Sequence, residues 1–223
     1  MKTLDVYELQ EILKHVAKTI VENEPYLTEI DSRIGDGDHG IGMKRGFGAV
    51  GRKLETEEYG KIDELCATTG MELLKSMGGA SGVIFCTLFF AGSGMLPSGE
   101  TVDLETLACY FEAGEKAIEK RGRAKPGQKT MLDALDPAVR ELKKAAAADL
   151  EIETAFAHAY VKACEGVEVS KKMHPVMGRA KNFHEMALGY PDPGAVSTSL
   201  IFKTFSEKTL EYAHKRKKDK RWD

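Results

Sequence analysis

Three aspartates, Asp31, Asp36 and Asp38, fall within eight positions on a stretch that also carries Gly35, Gly37 and Gly40. Carboxylates this close repel one another unless a cation lies between them. Hard oxygen ligands of this kind suit Mg2+, which keeps several waters and draws further ligands from substrate phosphates. A solvated acidic loop with one aspartate capping a helix is the alternative, and these residues alone leave both readings open. Two better-known motifs are spelled here and fail. Gly35-Asp-Gly37-Asp-His39-Gly40 satisfies GxGxxG, but the segment before it has helical periodicity where a dinucleotide fold needs a strand. Counted from Asp36, an EF-hand would need Glu at its twelfth position and meets Phe47.

Other stretches could meet an anion. Gly78-Gly-Ala-Ser81-Gly82 precedes an apolar run, and if a helix begins there, the Ser81 hydroxyl and nearby N–H groups form an anion site. Gly127-Gln-Lys129-Thr130 ends like a Walker A loop but lacks its glycines, and helix capping is the plain role for Thr130. His39, beside two carboxylates that favour a charged imidazole, either faces phosphate or braces the loop, and the phosphate side is the expected one. His15, His158 and His214 fall on helical stretches, and His174 and His184 are read as structural or surface residues.

These residues need elements to position them, and the pattern is helical throughout. Leu9, Ile12, Leu13, Val16, Ala17 and Ile20 recur at three- and four-residue spacing on a first helix. Pro25 closes that region, and Asp31 to Gly42 reads as irregular. Phe47, Val50 and Leu54 mark a second helix, and Ile62, Leu65, Cys66, Thr69, Leu73 and Met77 a third. Val83 to Ala91 is apolar on every side and fits a buried helix better than a strand. Leu104 to Ile118, Leu132 to Leu142 and Phe156 to Val167 carry further helices, with loops over Arg121 to Lys129 and Gly178 to Gly194. A last helix runs from about Ala195 into a basic tail over 214–223. No strand pairing is expected, and the chain reads as one all-α domain over 1–223.

Composition narrows the function classes. The chain has 223 residues, 42% hydrophobic and 30% charged, with a net charge of -3, which suits a soluble globular protein and not a general nucleic-acid binder. The cysteines Cys66, Cys86, Cys109 and Cys164 form no CxxC pair and read as core residues in a reducing compartment. The run from Val83 to Ala91 is far short of the ~20 residues that span a bilayer. A cytoplasmic protein that binds neither membrane nor nucleic acid is expected. The basic tail, Lys215-Arg-Lys-Lys218 with Lys220 and Arg221, reads as a solvated helix end.

Taken together and in order, four stretches resemble one family. Asp31-Ser-Arg-Ile-Gly-Asp36-Gly-Asp38-His39-Gly40 is similar to the signature of the nucleotide-binding L subunit of dihydroxyacetone kinases. Gly78 to Gly82, Gly122 to Asp133, and Gly178-Arg179-Ala-Lys with Asp192-Pro-Gly-Ala195 resemble its later motifs, and together they span most of the chain. The resemblance implies a single-domain barrel of about eight antiparallel amphipathic helices with ADP or ATP bound among the loops at one end. It implies that Asp31, Asp36 and Asp38 hold two Mg2+ ions, and that His39, Gly40, Ile41, Gly42, Ala80 and Ser81 meet phosphates. Gly122, Met131, Arg179, Asp192, Pro193 and Gly194 would line the nucleotide pocket. Arg179 would be catalytic, neutralising charge on the transferring phosphoryl group. One departure is Gly42, where phosphotransferase-linked members of the family often carry Asn. The implied partners are a ketose-binding K subunit, for which this chain leaves no room, and a phosphotransferase-system M subunit; a homodimer is a further candidate assembly. The donor is either free ATP or a phosphotransferase protein acting through retained ADP. A nucleotide-sensing module that docks onto a transcriptional regulator is the other reading of the same motifs.

Overall fold

The computed structural model describes residues 1–219, except the side chains of Arg179 and His184. Nine α-helices lie among the described residues: α1 (Val6–Glu22), α2 (Glu24–Ile34), α3 (His39–Thr56), α4 (Ile62–Met77), α5 (Gly79–Ala91), α6 (Leu104–Gly122), α7 (Leu132–Ala147), α8 (Ile152–Ser170) and α9 (Pro193–Asp219). Eight of them close a ring. In order, α1, α3, α4, α5, α6, α7, α8 and α9 each pack on the next, and α9 returns to α1. The short α2 packs mainly on α3. The fold is all-α, as the periodicity indicates.

The ring is filled, not hollow. Phe111 on α6, Phe156 on α8, and Phe202 and Phe205 on α9 are all buried, with Phe111 and Phe156 in ring contact with each other and with both rings of α9. Phe47 on α3 sets its edge against Phe85 and Phe89 on α5. Truncating one such ring to alanine would cost roughly 3–5 kcal/mol, because the neighbours relax only in part. The described residues include no helix long and apolar enough to cross a membrane.

Two local expectations need correcting. Pro25 does not only close α1; it sits in the first turn of α2, where its missing N–H costs nothing. The helix then continues through Asp31 to Ile34, burying Leu27, Ile30 and Ile34 on one face, so the irregular stretch shrinks to residues 35–38. Strand pairing also exists. β1 (Thr3–Asp5) and β2 (Thr101–Asp103) pair antiparallel, with Leu4 opposite Val102. Each strand runs straight into a helix whose first turn its own aspartate caps, Asp5 to the Glu8 N–H at 2.8 Å and Asp103 to the Thr106 N–H at 2.9 Å. Strands of three residues carry no alternation to read.

The chain links divide between the two ends of the ring. One end is tied by backbone: Val6 N–H to Glu100 O, Ile62 N–H to Gly99 O and Ile152 N–H to Met1 O. The connections that enter α3, α5, α7 and α9 gather at the other end, around a cavity. Four of the ring helices therefore begin at one place.

Candidate functional site

That cavity has a volume of about 510 Å3. Its wall draws on all four connections: Asp31, Asp36, Asp38, His39, Ile41 and Gly42 from the first, Gly78 to Ser81 from the second, Lys129 to Met131 from the third, and Met177, Gly178 and Asp192 to Gly194 from the fourth. Arg45, Ile84 and Phe85 complete much of the rest.

Asp31, Asp36 and Asp38 each bring a carboxylate oxygen within 4.8 Å of the others. Asp31 stands on the last turns of α2, buried, while Asp36 and Asp38 are exposed. Asp38 occupies the N-cap position of α3 without making the side-chain cap bond, which weakens the plain capping alternative. The backbone N–H of His39 instead donates to Asp31 Oδ2 at 3.1 Å, fixing α2 to the start of α3. Burial raises the pKa of the Asp31 carboxyl and Asp36 adds to it, while the N–H groups of His39, Gly37 and Asp38 pull it down. The chemistry of three convergent carboxylates fits a hard divalent cation.

Gly40 holds this geometry. A Cβ there would lie 2.3 Å from Thr28 Oγ1 and 2.5 Å from Glu24 O on α2, so only glycine lets α3 begin this close to the helix that bears Asp31. Gly40 thus packs away from the cavity wall. Gly42 differs: a Cβ built on it meets nothing within 4 Å, so the space beside it is open.

Beside the acidic cluster stand helix N-termini, each with backbone N–H groups that the helix itself cannot satisfy and a positive dipole end. The turn from α4 into α5 is one residue long. Gly78 and Gly79 have φ of 70° and 64°, a region that L side chains rarely adopt, and this aims Ala80, Ser81 and the start of α5 into the cavity. Arg45 on α3 braces the turn, with Nε donating to Ser76 O at 2.9 Å and a terminal nitrogen donating to Met77 O.

His39 lines the cavity, but the charged imidazole expected from its neighbours is not what the structure gives. The ring is buried, its Nε2 lies 2.8 Å from Ser197 Oγ on α9, and burial pushes its pKa down to about 4. Desolvation outweighs the backbone hydrogen bond at Pro193, which favours the charged form, and the ring ties α3 to α9.

Gly122 stands one side chain back. It ends α6, and a Cβ there would sit 3.6 Å from Cδ1 of Ile84, which itself faces the cavity. The backbone of Arg179 starts a 3-10 turn, Arg179–Asn182, next to the wall residues Gly178 and Ala180; its side chain lies outside the described residues, as does that of His184. In the basic tail, Arg216 donates to both Glu8 carboxylate oxygens and to Thr3 O, so α9 is fastened at the sheet end, and Lys220 and Arg221 lie outside the described residues.

Sequence reasoning named the stretches that hold Lys129 and Asp133 but gave neither residue a role in the site. Asp133 accepts from the N–H groups of Gly127 and Thr130, the latter at 2.7 Å, and so folds the loop that enters α7. Lys129, with φ of 56°, is 1% exposed. A lysine in a glycine- and proline-bearing loop reads as solvated, and only the buried acceptors that surround it reveal otherwise.

The fold and the cleft together define a class: a filled ring of helices whose starts converge on an anion-receiving, carboxylate-bearing cavity. Comparison with known proteins makes the class specific. The family model for the DAK2 domain matches residues 33–207. The chain is 35% identical over 190 residues to the ADP-binding subunit DhaL of PEP-dependent dihydroxyacetone kinase 1 from Listeria innocua, covering 85% of this chain and 90% of that protein. It is 36% identical over 178 residues to the DhaL subunit of the PEP-dependent kinase of Escherichia coli K12, covering 80% of this chain and 85% of that one. Among solved structures, the dihydroxyacetone kinase from C. freundii in complex with AMP-PNP and Mg2+ superposes with a TM-score of 0.73 at 25% identity, over 93% of this chain. The chain spans 34% of that larger kinase. This chain belongs to the DAK2-domain family, with the DhaL ADP-binding subunits of dihydroxyacetone kinases.

Proposed function

We propose that the chain is the nucleotide-binding subunit of a two-component dihydroxyacetone kinase, holding ADP through Mg2+ and passing a phosphoryl group to a ketose bound on a separate K subunit. One observation carries this reading. Three clustered carboxylates share a cavity with the starts of α3 and α5, and each feature alone would repel what the other attracts. A metal–phosphate group satisfies both, with the cation on the carboxylates and the phosphate oxygens on the helix starts.

In this reading Asp31, Asp36 and Asp38 hold two Mg2+ ions, which supply charge neutralisation at the phosphates. The N–H groups of Ile41, Ala80 and Ser81, with the Ser81 hydroxyl, receive phosphate oxygens. Ile84, Phe85, Met131 and Met177 give an apolar wall for the adenine. Asp192, Pro193 and Gly194 close the pocket beside it, and Arg179 neutralises charge on the transferring group. The names of the DhaL relatives, one PEP-dependent in Escherichia coli and one PTS-dependent in Lactococcus lactis at 36% identity, favour a retained ADP that a phosphotransferase protein rephosphorylates. Residues 1–223 act as one unit in the cytoplasm.

Two measurements test the proposal. ADP with Mg2+ is expected to raise the melting temperature, by mass action worth roughly 2.7 kcal/mol at about 100 times Kd, and ADP with a chelator is expected to do far less. The purified chain alone is expected to turn over no dihydroxyacetone. Steady turnover without a second subunit would overturn the two-component reading, and equal shifts with and without Mg2+ would overturn the metal bridge.

A further inference from the structure

We propose that Lys129 is a positioning residue of this pocket, a buried side chain whose ammonium ties the segment between α8 and α9 to the loop entering α7 and so sets the entry to α9. The inference rests on the nucleotide-binding reading for its consequence, but its geometry stands apart from it.

Lys129 Nζ donates to Ser170 O at 2.7 Å and to Tyr190 O at 2.6 Å. These acceptors lie 41 and 61 residues away and bracket the whole 171–190 segment, including its two 3-10 turns. Ser170 continues the tie: its hydroxyl accepts from the Asp192 N–H at 3.0 Å. Asp192 in turn accepts from the Ala195 N–H at 2.8 Å, which fixes the entry to α9 and the wall residues Pro193 and Gly194. Together with the backbone bond from Val176 N–H to Gln128 O at 3.4 Å, this side chain helps set where Met177, Gly178 and Asp192 to Gly194 stand relative to Met131.

A buried ammonium is costly unless it has acceptors and opposite charge. Lys129 has both, with Asp192 and Asp133 favouring its charged form against burial. The groups facing Asp192 are Lys129 and Asp133, of opposite effect, and the neutral His39 stands against the adjoining Pro193. Burial pushes the Asp192 carboxyl up to about 7, Asp133 adds to that, and Lys129 opposes it. The Ala195 N–H also favours the carboxylate, and removing the ammonium takes away a second group that does so.

The test uses the full chain with Lys129→Met and Lys129→Gln. In ligand-free protein, hydrogen exchange of residues 171–191 is expected to rise in the Met variant while the helices α1 and α3 to α6 keep their protection. The Gln variant, which retains a donor, recovers much of it. The affinity for ADP–Mg2+, measured by calorimetry between about pH 6 and pH 9, is expected to fall roughly tenfold at neutral pH in the Met variant, with its acidic limb displaced upward. The nucleotide's own titration is common to both chains and cancels in the comparison. The Gln variant keeps the displaced limb, since it lacks the charge. Unchanged exchange in 171–191 together with an unmoved pH profile would overturn the proposal. Should the Met variant fail to fold, an unmoved profile in the Gln variant overturns it alone. If the natural chain binds no ADP–Mg2+, the nucleotide reading fails, and the exchange data still decide whether Lys129 ties the segment.

Discussion

Replacing Asp36 or Asp38 by alanine is expected to weaken Mg2+-dependent ADP binding by about a hundredfold or more, ~2.8 kcal/mol, without unfolding the chain. The size follows from what each carboxylate does twice: it supplies an oxygen ligand to the cation, and it supports the bridge that lets phosphates approach an acidic loop. The tolerance follows from geometry, since both residues are exposed and lie within 4.8 Å of a third carboxylate. Removing one relieves part of the unliganded loop's self-repulsion, so the melting temperature without nucleotide should hold or rise. Asp31 is different. It accepts the His39 N–H and is buried, so Asp31→Ala should also cost about 1–2 kcal/mol of stability. Calorimetry and thermal melting on the same three variants separate the two effects, and an Asp36→Ala chain with natural ADP affinity would remove that residue from the metal site.

Arg179→Lys is expected to cost the reconstituted two-subunit complex about 10²–10³ in phosphoryl-transfer rate while ADP–Mg2+ binding drops far less. A guanidinium near the terminal phosphate gains most where negative charge is being redistributed, which is in the transition state. Lysine keeps the charge and loses the planar fork that grips two oxygens. The backbone of Arg179 runs between Gly178 and Ala180, both in the cavity wall. Single-turnover rates and ADP affinities for the same variant test it, and equal losses in both would reduce Arg179 to a brace for the loop.

Much of this was legible in the residues, and the parts that were not have physical reasons. Long amphipathic stretches such as Leu9 to Ile20 repeat at helical spacing because one face must be buried, and the apolar α5 announced itself by having no polar face. The spacing of Asp31, Asp36 and Asp38 suggested a cation but left a solvated acidic loop open, and the fold adds that the three carboxylates converge within 4.8 Å. What escaped were features set by tertiary neighbours. Thr3–Asp5 and Thr101–Asp103 are too short for periodicity, and only their matched Thr-Leu-Asp and Thr-Val-Asp spelling ahead of a helix hinted at pairing. The turns of α2 around Asp31 were hidden behind a proline that opens a helix as readily as it closes one. His39 was expected to be charged from its chain neighbours, and the α9 hydroxyl of Ser197, 158 residues away, lies against a buried, neutral ring instead. Lys129 was invisible for the same reason, because its acceptors are carbonyls, and a sequence does not say which carbonyls meet a lysine.

The central claim is that ADP is held through cations on the acidic cluster, and paramagnetic resonance with Mn2+ in place of Mg2+ tests it most directly. In the presence of ADP, the natural chain is expected to bind two Mn2+ ions with phosphorus hyperfine coupling from the nucleotide, and the Asp36→Ala chain to lose that signal. Tightly bound ADP with no bound Mn2+, or Mn2+ whose phosphorus coupling survives in the Asp36→Ala, Asp38→Ala double variant, would contradict the account.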